Sequence, residues 1–374
     1  MRVHLVDPSA FTPPYDRALA AALARAGDDV TLVTSRFAYG DVPAAAGYAV
    51  QERFYRRAGR VGRAGAASRA RLAAKLVEHV PDMVAYRRAA PRVADVVHFQ
   101  WLTVQPLDVH LLPRGVPTVL TAHDVLPREP RPGQRRAQRR LYERVDHVVV
   151  HSEHGARRLT HELGLDPARV TVIPHGAFTH LTDLAARLPP ELPDTERPVV
   201  ALAGLLRPYK GVDVLLDAWR RFGGDPPGEL WIVGLPRMAL PGTGGAGSLP
   251  PGVRLVPRFV DDAELAGVLR RADVVALPYR EIDQSGVLYA ALGLGRPLLL
   301  SAVGGFPEVA AAGAAELVPP GDAAALHAAL ATLLADPARR AALAAAAARA
   351  ARERYSWDAV AARHHALYAA LGAR

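Results

Sequence analysis

The stretch "VVALAGLLRPYKGVDVLLDAW", Val199 to Trp219, reads as a short apolar strand ending at Gly204, a loop holding Arg207 and Lys210, and a helix beginning near Val212. The same strand, loop and helix succession recurs along the 374 residues. In the first half, strand patterns stand at "MRVHLVD", "DVTLVTS", "DVVHFQ", "TVLTAHD", "HVVVHS" and "VTVIPHG"; in the second, at "VVALAG", "ELWIVG", "VRLVPRF", "DVVALPY", "PLLLSAVGG" and "AELVPP". Short apolar strands alternating with helical patterns argue for parallel sheets covered by helices on both faces. The expectation is an α/β chain of two Rossmann-like, doubly wound parallel-sheet domains facing each other across a cleft. Residues 1–180 would form the first domain, the Pro-rich segment 181–198 the connection, and 199–354 the second domain. Residues 355–374 would form a helix crossing back to the first domain.

Composition narrows the function. Half of the residues are hydrophobic and 22% are charged, a soluble globular balance. No run of about 18 apolar residues and no signal-peptide pattern is found, which predicts a cytoplasmic protein. The chain has no cysteine, so thiolate catalysis, disulfides and cysteine zinc sites are excluded. The net charge of +9 sits mostly in the first half, in "RFYRRAGRVGRAGAASRARLAAK" (Arg53 to Lys75) and "REPRPGQRRAQRRLYERV" (Arg128 to Val145). Such segments suit solvated helix faces or an anionic partner, either a membrane's inner surface or a phosphate-bearing acceptor. No nucleic-acid motif accompanies them, and nucleic acid is not expected as a partner.

Ligands of open parallel sheets lie beyond the carboxyl ends of the strands, and the candidate residues collect there. All but two of the 46 basic residues are arginine, yet Lys210 stands in the loop after "VVALAG". Arg207 as a fork and Lys210 as a compact point charge would neutralise a diphosphate. After "DVVALPY", Asp283 and Ser285, Gly286 and Val287 open a helix whose free amides would cradle an anion. Gly304 and Gly305 make a second turn beside them, with Glu308 following. Glu281 and Asp283 are candidates for sugar hydroxyls. In the first half, His123 and Asp124 end a strand, and a His/Glu metal site at "HSEH" (His151 to His154) and His175 is a weaker option. No Asp-x-Asp and no G-x-G-x-x-G after a first strand is present.

Together these motifs resemble a retaining glycosyltransferase of family 4, in the GT-B group. The resemblance runs from "YDRALAAALARAGDDVTLVTS" through "VIPHG", "AGLLRPYKGVDVLLDAW", "RFVDDAELAGVLRRADVVALPY" and "GLGRPLLLSAVGGFPE" to "YSWDAVAARHHALY". It implies that Arg207 and Lys210 hold the donor diphosphate and that the amides at Ser285 to Val287 receive its oxygens. Arg258, Phe259 and Val260 would lie at the base, Glu308 would belong to a Gly-Gly-x-x-Glu element, and His123 would touch the transferred sugar. Two departures stand out. A second Glu that usually holds the ribose is Ala290 here, beside Tyr289, with Asp283 the stand-in for the first, whose counted position is Ile282. The usual Gly-rich amino-terminal loop is "PSAFTPPYDRA", whose Tyr15 and Asp16 would meet acceptor or phosphate. The resemblance implies hexosyl transfer from a nucleoside diphosphate sugar, UDP favoured over GDP, to a hydroxyl acceptor, lipid-linked or phosphorylated, with no cofactor and no metal. A sugar-nucleotide epimerase or hydrolase, or a polyanion-binding protein with a decayed donor site, are the rivals.

Overall fold

The computed structural model describes the chain except residues 38–41, 43, 58–68, 103, 128–131, 242–247 and 373–374, and of residues 69–72 the backbone alone. Much of the basic stretch Arg53 to Lys75 and the start of Arg128 to Val145 thus lie outside the described residues. The chain divides into two units, Met1–Gly176 with Trp357–Arg374, and Ala177–Ser356.

The first unit runs β1 (Arg2–Asp7), α1 (Pro13–Arg25), β2 (Asp29–Ser35), β3 (Ala49–Phe54), α2 (Arg69–Val93), β4 (Val96–Phe99), α3 (Gln105–Leu111), β5 (Thr118–Thr121), α4 (Gln134–Arg144), β6 (His147–Val150), α5 (Glu153–Arg157) and β7 (Val170–Val172). Among the described residues its strands form one parallel sheet in the order β3-β2-β1-β4-β5-β6-β7. β4, β5 and β6 are buried along their whole length, as strands covered on both faces must be. β3 was not expected from sequence. Its residues "AVQERF" are mostly exposed and carry three consecutive polar side chains, Gln51, Glu52 and Arg53, as suits a sheet edge rather than a core strand.

The second unit runs β8 (Val199–Ala203), α6 (Val212–Arg220), β9 (Glu229–Val233), β10 (Val253–Val256), α7 (Asp262–Arg271), β11 (Val274–Leu277), α8 (Gly286–Gly293), β12 (Leu298–Ser301), α9 (Phe306–Ala310), β13 (Ala315–Val318), α10 (Ala323–Ala335) and α11 (Pro337–Arg352). Its described strands are again parallel, in the order β10-β9-β8-β11-β12-β13. In each unit the strand order reverses beside the first strand, at β1/β4 and at β8/β11, the place where ligands of open parallel sheets bind.

Two boundaries need comment. The Pro-rich segment before β8 is packed on the second unit: Phe178 N–H donates to the Tyr289 carbonyl at 3.1 Å and Arg187 N–H to that of Ala263 at 3.1 Å. Leu181 and Leu192 are buried in the same core as Val199 and Leu288. The leucines interspersed among the prolines find apolar partners there, so the segment does not behave as a free connection. The last helix, α12 (Trp357–Ala370), belongs to the first unit, where it packs on α1. Its Tyr368 hydroxyl meets His98 Nδ1 at 2.6 Å, beneath β4.

Candidate functional site

In the second unit, the loop after β8 is built around one close approach. Gly204 has φ of 98°. A Cβ on it would lie 2.9 Å from Val287 Cγ2 and 3.1 Å from Lys210 Nζ, so glycine is what lets the ammonium meet the first turn of α8. Lys210 is 6% exposed. Its Nζ lies 5.1 Å from the centre of the Tyr279 ring, and no carboxylate pairs with it among the described residues. Tyr279 in turn places its hydroxyl 3.4 Å from Ser285 Oγ, at the residue that precedes α8. The first amides of α8 have no carbonyl within the helix to donate to. A buried cation, unpaired among the described residues, beside helix-start amides is an arrangement that favours an anion.

The loop carrying Lys210 is held from outside by Arg280. Its N–H donates to the Tyr209 carbonyl at 2.7 Å. Its guanidinium donates to the Pro208 carbonyl at 3.1 Å and to Asp213 Oδ1 and Oδ2 at 2.7 and 2.5 Å. That hydrogen bonding keeps the Asp213 carboxyl below its ordinary range. Arg207 sits at the exposed start of the same loop, without a carboxylate partner among the described residues.

The other expected donor residues divide. Gly304 has φ of 57°, and a Cβ on it would fall 1.8 Å from the Ile282 carbonyl oxygen, so the turns after β11 and β12 lie back to back. Gly305 precedes α9 and Glu308 stands in its first turn. Asp283 and Ser285 are both buried next to this contact, while Gly286 and Glu281 are exposed. Ala290 lies in the apolar core with Leu288 and Leu292, so no carboxylate occupies that position. Beside it Tyr289 donates its hydroxyl to Gln284 Oε1 at 2.8 Å. The Arg258 guanidinium is committed elsewhere, donating to Glu191 at 2.7 and 2.8 Å and to both Glu264 oxygens at 2.9 Å. These pairings neutralise the Arg258 guanidinium. The exposed ring of Phe259 and the half-buried Val260 are what that segment offers to a ligand.

In the first unit the site is made of neutral rings. His151 Nδ1 lies 2.9 Å from the Ile173 carbonyl, and His151 Nε2 lies 3.1 Å from His123 Nδ1. A carbonyl only accepts, so His151 carries its proton on Nδ1 and, being neutral, accepts at Nε2. His123 must then donate from Nδ1, which leaves its Nε2 an acceptor. Burial holds both rings neutral: the His151 pKa is lowered to about 4, and that of His123 is pushed well below its ordinary value by burial and then by the neighbouring imidazoles. Trp101 stacks on His123 at 4.9 Å and is tied to Thr12 by a 2.8 Å hydrogen bond. Gln100 Oε1 lies 3.3 Å from His123 Nε2. Turning the amide over would set a donor against that acceptor; in either orientation one end of the buried amide has no protein partner.

Tyr15 and Asp16 are not at the surface where an acceptor would meet them, being 1% and 2% exposed. The Tyr15 ring lies under this site, 4.7 Å from His123 and 4.8 Å from His175. Asp16 is hydrogen-bonded to the buried Asp7, and burial together with the Asp7 charge raises its pKa. Asp7 in turn accepts from the backbone N–H groups of Ser9 at 3.1 Å, Thr12 at 3.2 Å and Phe11. These residues support the "PSAFTPPYDRA" loop from below. Asp124 is exposed at the rim of a cavity of about 170 Å³ that His123 also lines. His175 turns its Nδ1 to the Gly176 carbonyl at 2.7 Å. Among the described residues no group of three or more His, Asp or Glu is arranged to hold a metal ion.

Comparison with known proteins decides the family. Residues 197–336 match the model described as glycosyl transferases group 1, and residues 17–181 match glycosyltransferase family 4. A D-inositol 3-phosphate glycosyltransferase of Kineococcus radiotolerans is 31% identical over 73% of this chain and 71% of its own length. The chain belongs to glycosyltransferase family 4. A protein of the same name from Corynebacterium glutamicum is 29% identical, covering 80% of this chain and 78% of that one. A GDP-mannose:glycolipid 4-beta-D-mannosyltransferase of Xanthomonas campestris is 30% identical over 60% and 68%. Among solved structures, the sucrose-phosphate synthase of Thermosynechococcus elongatus superposes with a TM-score of 0.73 at 21% identity, covering 100% of this chain and 99% of that one. Anabaena HepE, solved with UDP-glucose, superposes at 0.69 and 18%, covering 99% and 100%. The fold is that of the GT-B glycosyltransferases.

Sequence reading missed several residues that set this glycosyltransferase's geometry. Tyr279 and Arg280 lie in "LPYRE", where only their place just beyond β11 marks them. Gln100 and Trp101 follow β4 in the same way. The signal available was position, the first residues past the carboxyl end of a strand next to the order reversal.

Proposed function

We propose that this glycosyltransferase moves a hexosyl group from a nucleoside diphosphate sugar to a hydroxyl acceptor with retention at the anomeric carbon. The observation that carries the reading is Lys210: a buried ammonium, unpaired among the described residues, held over Tyr279 against the start of α8. The bond from the anomeric carbon to the phosphate oxygen breaks, and the acceptor oxygen bonds that carbon on the same face. The proton of the acceptor goes to the leaving phosphate. Lys210, the α8 amides and Arg207 stabilise the charge gathering on the diphosphate. Fixed cations and amides supply the compensation, so the proposal includes turnover without a metal ion. Asp283 and Glu308 hold donor hydroxyls, and His123, as an acceptor at Nε2, meets a hydroxyl of the transferred sugar. UDP is the first nucleotide to test, since HepE is described with UDP-glucose, and GDP the second, since the Xanthomonas relative is named for GDP-mannose.

The test is calorimetric binding of UDP, GDP, ADP and dTDP in the presence of EDTA to the wild type and to Lys210→Ala and Arg207→Ala. One diphosphate should bind, and both variants should weaken it, Lys210→Ala more. Absence of binding by all four would remove the donor assignment. Consumption of donor at full rate without any acceptor would favour the epimerase or hydrolase reading.

A further inference from the structure

The first unit holds a second group of buried titratable side chains. The Tyr55 hydroxyl lies 2.7 Å from His79 Nδ1, and His79 Nε2 lies 2.7 Å from Asp108 Oδ1. Tyr55 stands just past β3, His79 on α2 and Asp108 on α3, and they are 4%, 1% and 0% exposed. The second Asp108 oxygen accepts from the Val104 N–H at 2.8 Å. A carboxylate only accepts, so His79 carries a proton on Nε2. Burial raises the Tyr55 pKa, so its hydroxyl stays protonated and donates to Nδ1. The hydrogen bonds thus run one way, from Tyr55 through His79 to Asp108.

Two features give this relay more than a packing role. The first is the backbone at Tyr55. Its φ of 52° lies in the left-handed region, which among the described residues other than glycine only Ala10 shares. The Tyr55 N–H donates to Asp82 Oδ2 at 2.8 Å, so the residue is held at both its amide and its hydroxyl. Residues kept in such a conformation need supports of this kind, and in native proteins they gather at functional positions. The second feature is where the ends of the relay lead. Val104 closes the segment that begins after β4 with Gln100 and Trp101. At the other end the Tyr55 hydroxyl meets the Ser9 side chain, in the loop after β1. Thr12 of that loop accepts from Trp101 Nε1 at 2.8 Å. The Trp101 ring is therefore tied from two loops, and it lies 4.9 Å from the His123 ring at an interplanar angle of 12°.

We propose that Tyr55, His79 and Asp108 are positioning residues, which lock the loops after β1 and β4 and so hold Trp101 flat on His123. They touch no reacting atom. A site carried on loops stays precise only if the residues behind it are themselves locked by hydrogen bonds and packing. The inference rests on the transferase reading for the role of His123, while the control of Trp101 stands on the relay alone.

Fluorine NMR of protein labelled with fluorotryptophan tests it, since the four tryptophans give separate probes. The Trp101 signal is assigned with Trp101→Phe. Tyr55→Phe keeps the ring and removes the hydroxyl from both His79 and Ser9. Asp108→Asn, whose amide accepts at one atom and donates at the other, sets its NH2 group against either the Val104 N–H or the His79 Nε2–H. Both variants should move the Trp101 signal by more than its linewidth and leave Trp219 and Trp231, in the second unit, in place. Thr171→Val is the control, because it removes a histidine-to-hydroxyl contact of the same 2.7 Å length at His147. It should leave Trp101 unmoved. A Trp101 signal unchanged in Tyr55→Phe would overturn the proposal, even where Asp108→Asn fails to fold, and so would an equal shift in Thr171→Val. UDP titrated into the same samples separates the two readings: a responsive Trp101 without UDP binding would keep the relay and remove the donor, and UDP binding with Trp101 unmoved would do the reverse.

Discussion

The six strands of the second unit repeat the order of the first six of the seven in the first unit, and the two units have opposite electrostatics at the ends of their strands. Beyond β8 and β11 the second unit concentrates positive charge, with Lys210 buried and unpaired among the described residues and the α8 amides beside it. Beyond β4, β5 and β6 the first unit assembles imidazoles, indole and glutamine amides, all uncharged near neutral pH. Each unit gains its character from a few side chains on an almost identical frame. A Rossmann-like sheet fixes where a ligand goes, and the residues just past each strand fix what kind of ligand it is.

If the contrast is physical, acid should strike the first unit first. His151 and His364 have pKa values lowered to about 4, and His98, His123 and His175 are also lowered by burial. The unfolded chain takes up protons on these imidazoles below about pH 6.5, while in the folded chain burial resists their protonation, for His151 and His364 until about pH 4. Their contribution is therefore whole above pH 6.5 and is lost as pH falls toward 4, by roughly 3 kcal/mol for His151 alone at about 1.4 kcal/mol per unit. Hydrogen exchange measured between pH 7 and pH 4 should show β4 to β6 losing protection while β8 to β12 keep theirs. Equal loss in both units would break the comparison.

Turnover tests the other side. Lys210→Ala should lower kcat/KM at least tenfold, about 1.4 kcal/mol of transition-state stabilisation, with the melting temperature little changed. An unchanged rate would take the ammonium out of the chemistry. The smallest expected effect belongs to Arg280→Ala. Its pair with Asp213 is about half exposed, where such pairs contribute about 0.2 to 1 kcal/mol, so the loop should loosen and the donor KM rise about 1.4- to 5-fold with kcat nearly constant. A fall in kcat as large as that of Lys210→Ala would mean that Arg280 does more than hold the loop.

Much of this was legible in the sequence, for identifiable reasons. The twelve expected strands are all present, because apolar runs of four to six residues bounded by Gly and Pro have few other solutions in an α/β pattern. β3 escaped because the polar Gln51, Glu52 and Arg53 break its apolar residues into Ala49 and Val50 on one side and Phe54 on the other. Lys210 was visible as an exception in an arginine-rich chain, and the structure puts it with the α8 turn as the loop spacing suggested. What sequence left dark was direction. Tyr15 and Asp16 were read as facing a ligand, but on α1 they turn inward, and nothing in their spacing separates the two orientations. Arg258 was read as lying at the base, and its partner Glu191, 67 positions away in the chain, carries no mark in a linear pattern. The partners of the histidines, Ile173 and Gln100, come from other strands, and a linear pattern does not report such pairings.

The first unit is interrupted. Its sheet ends at β7, its chain passes into the second unit after Gly176, and its last helix arrives only with Trp357. A ribosome adding about 5 to 20 residues per second delivers residues 177–356 in roughly 9 to 36 s, during which the sheet of the first unit waits without α12. Over that time the face of α1 that α12 will cover, and the His98 that Tyr368 will bond, remain uncovered. The second unit is contiguous and can finish its core first. Folding during synthesis thus runs against chain order, with the amino-terminal unit closing last.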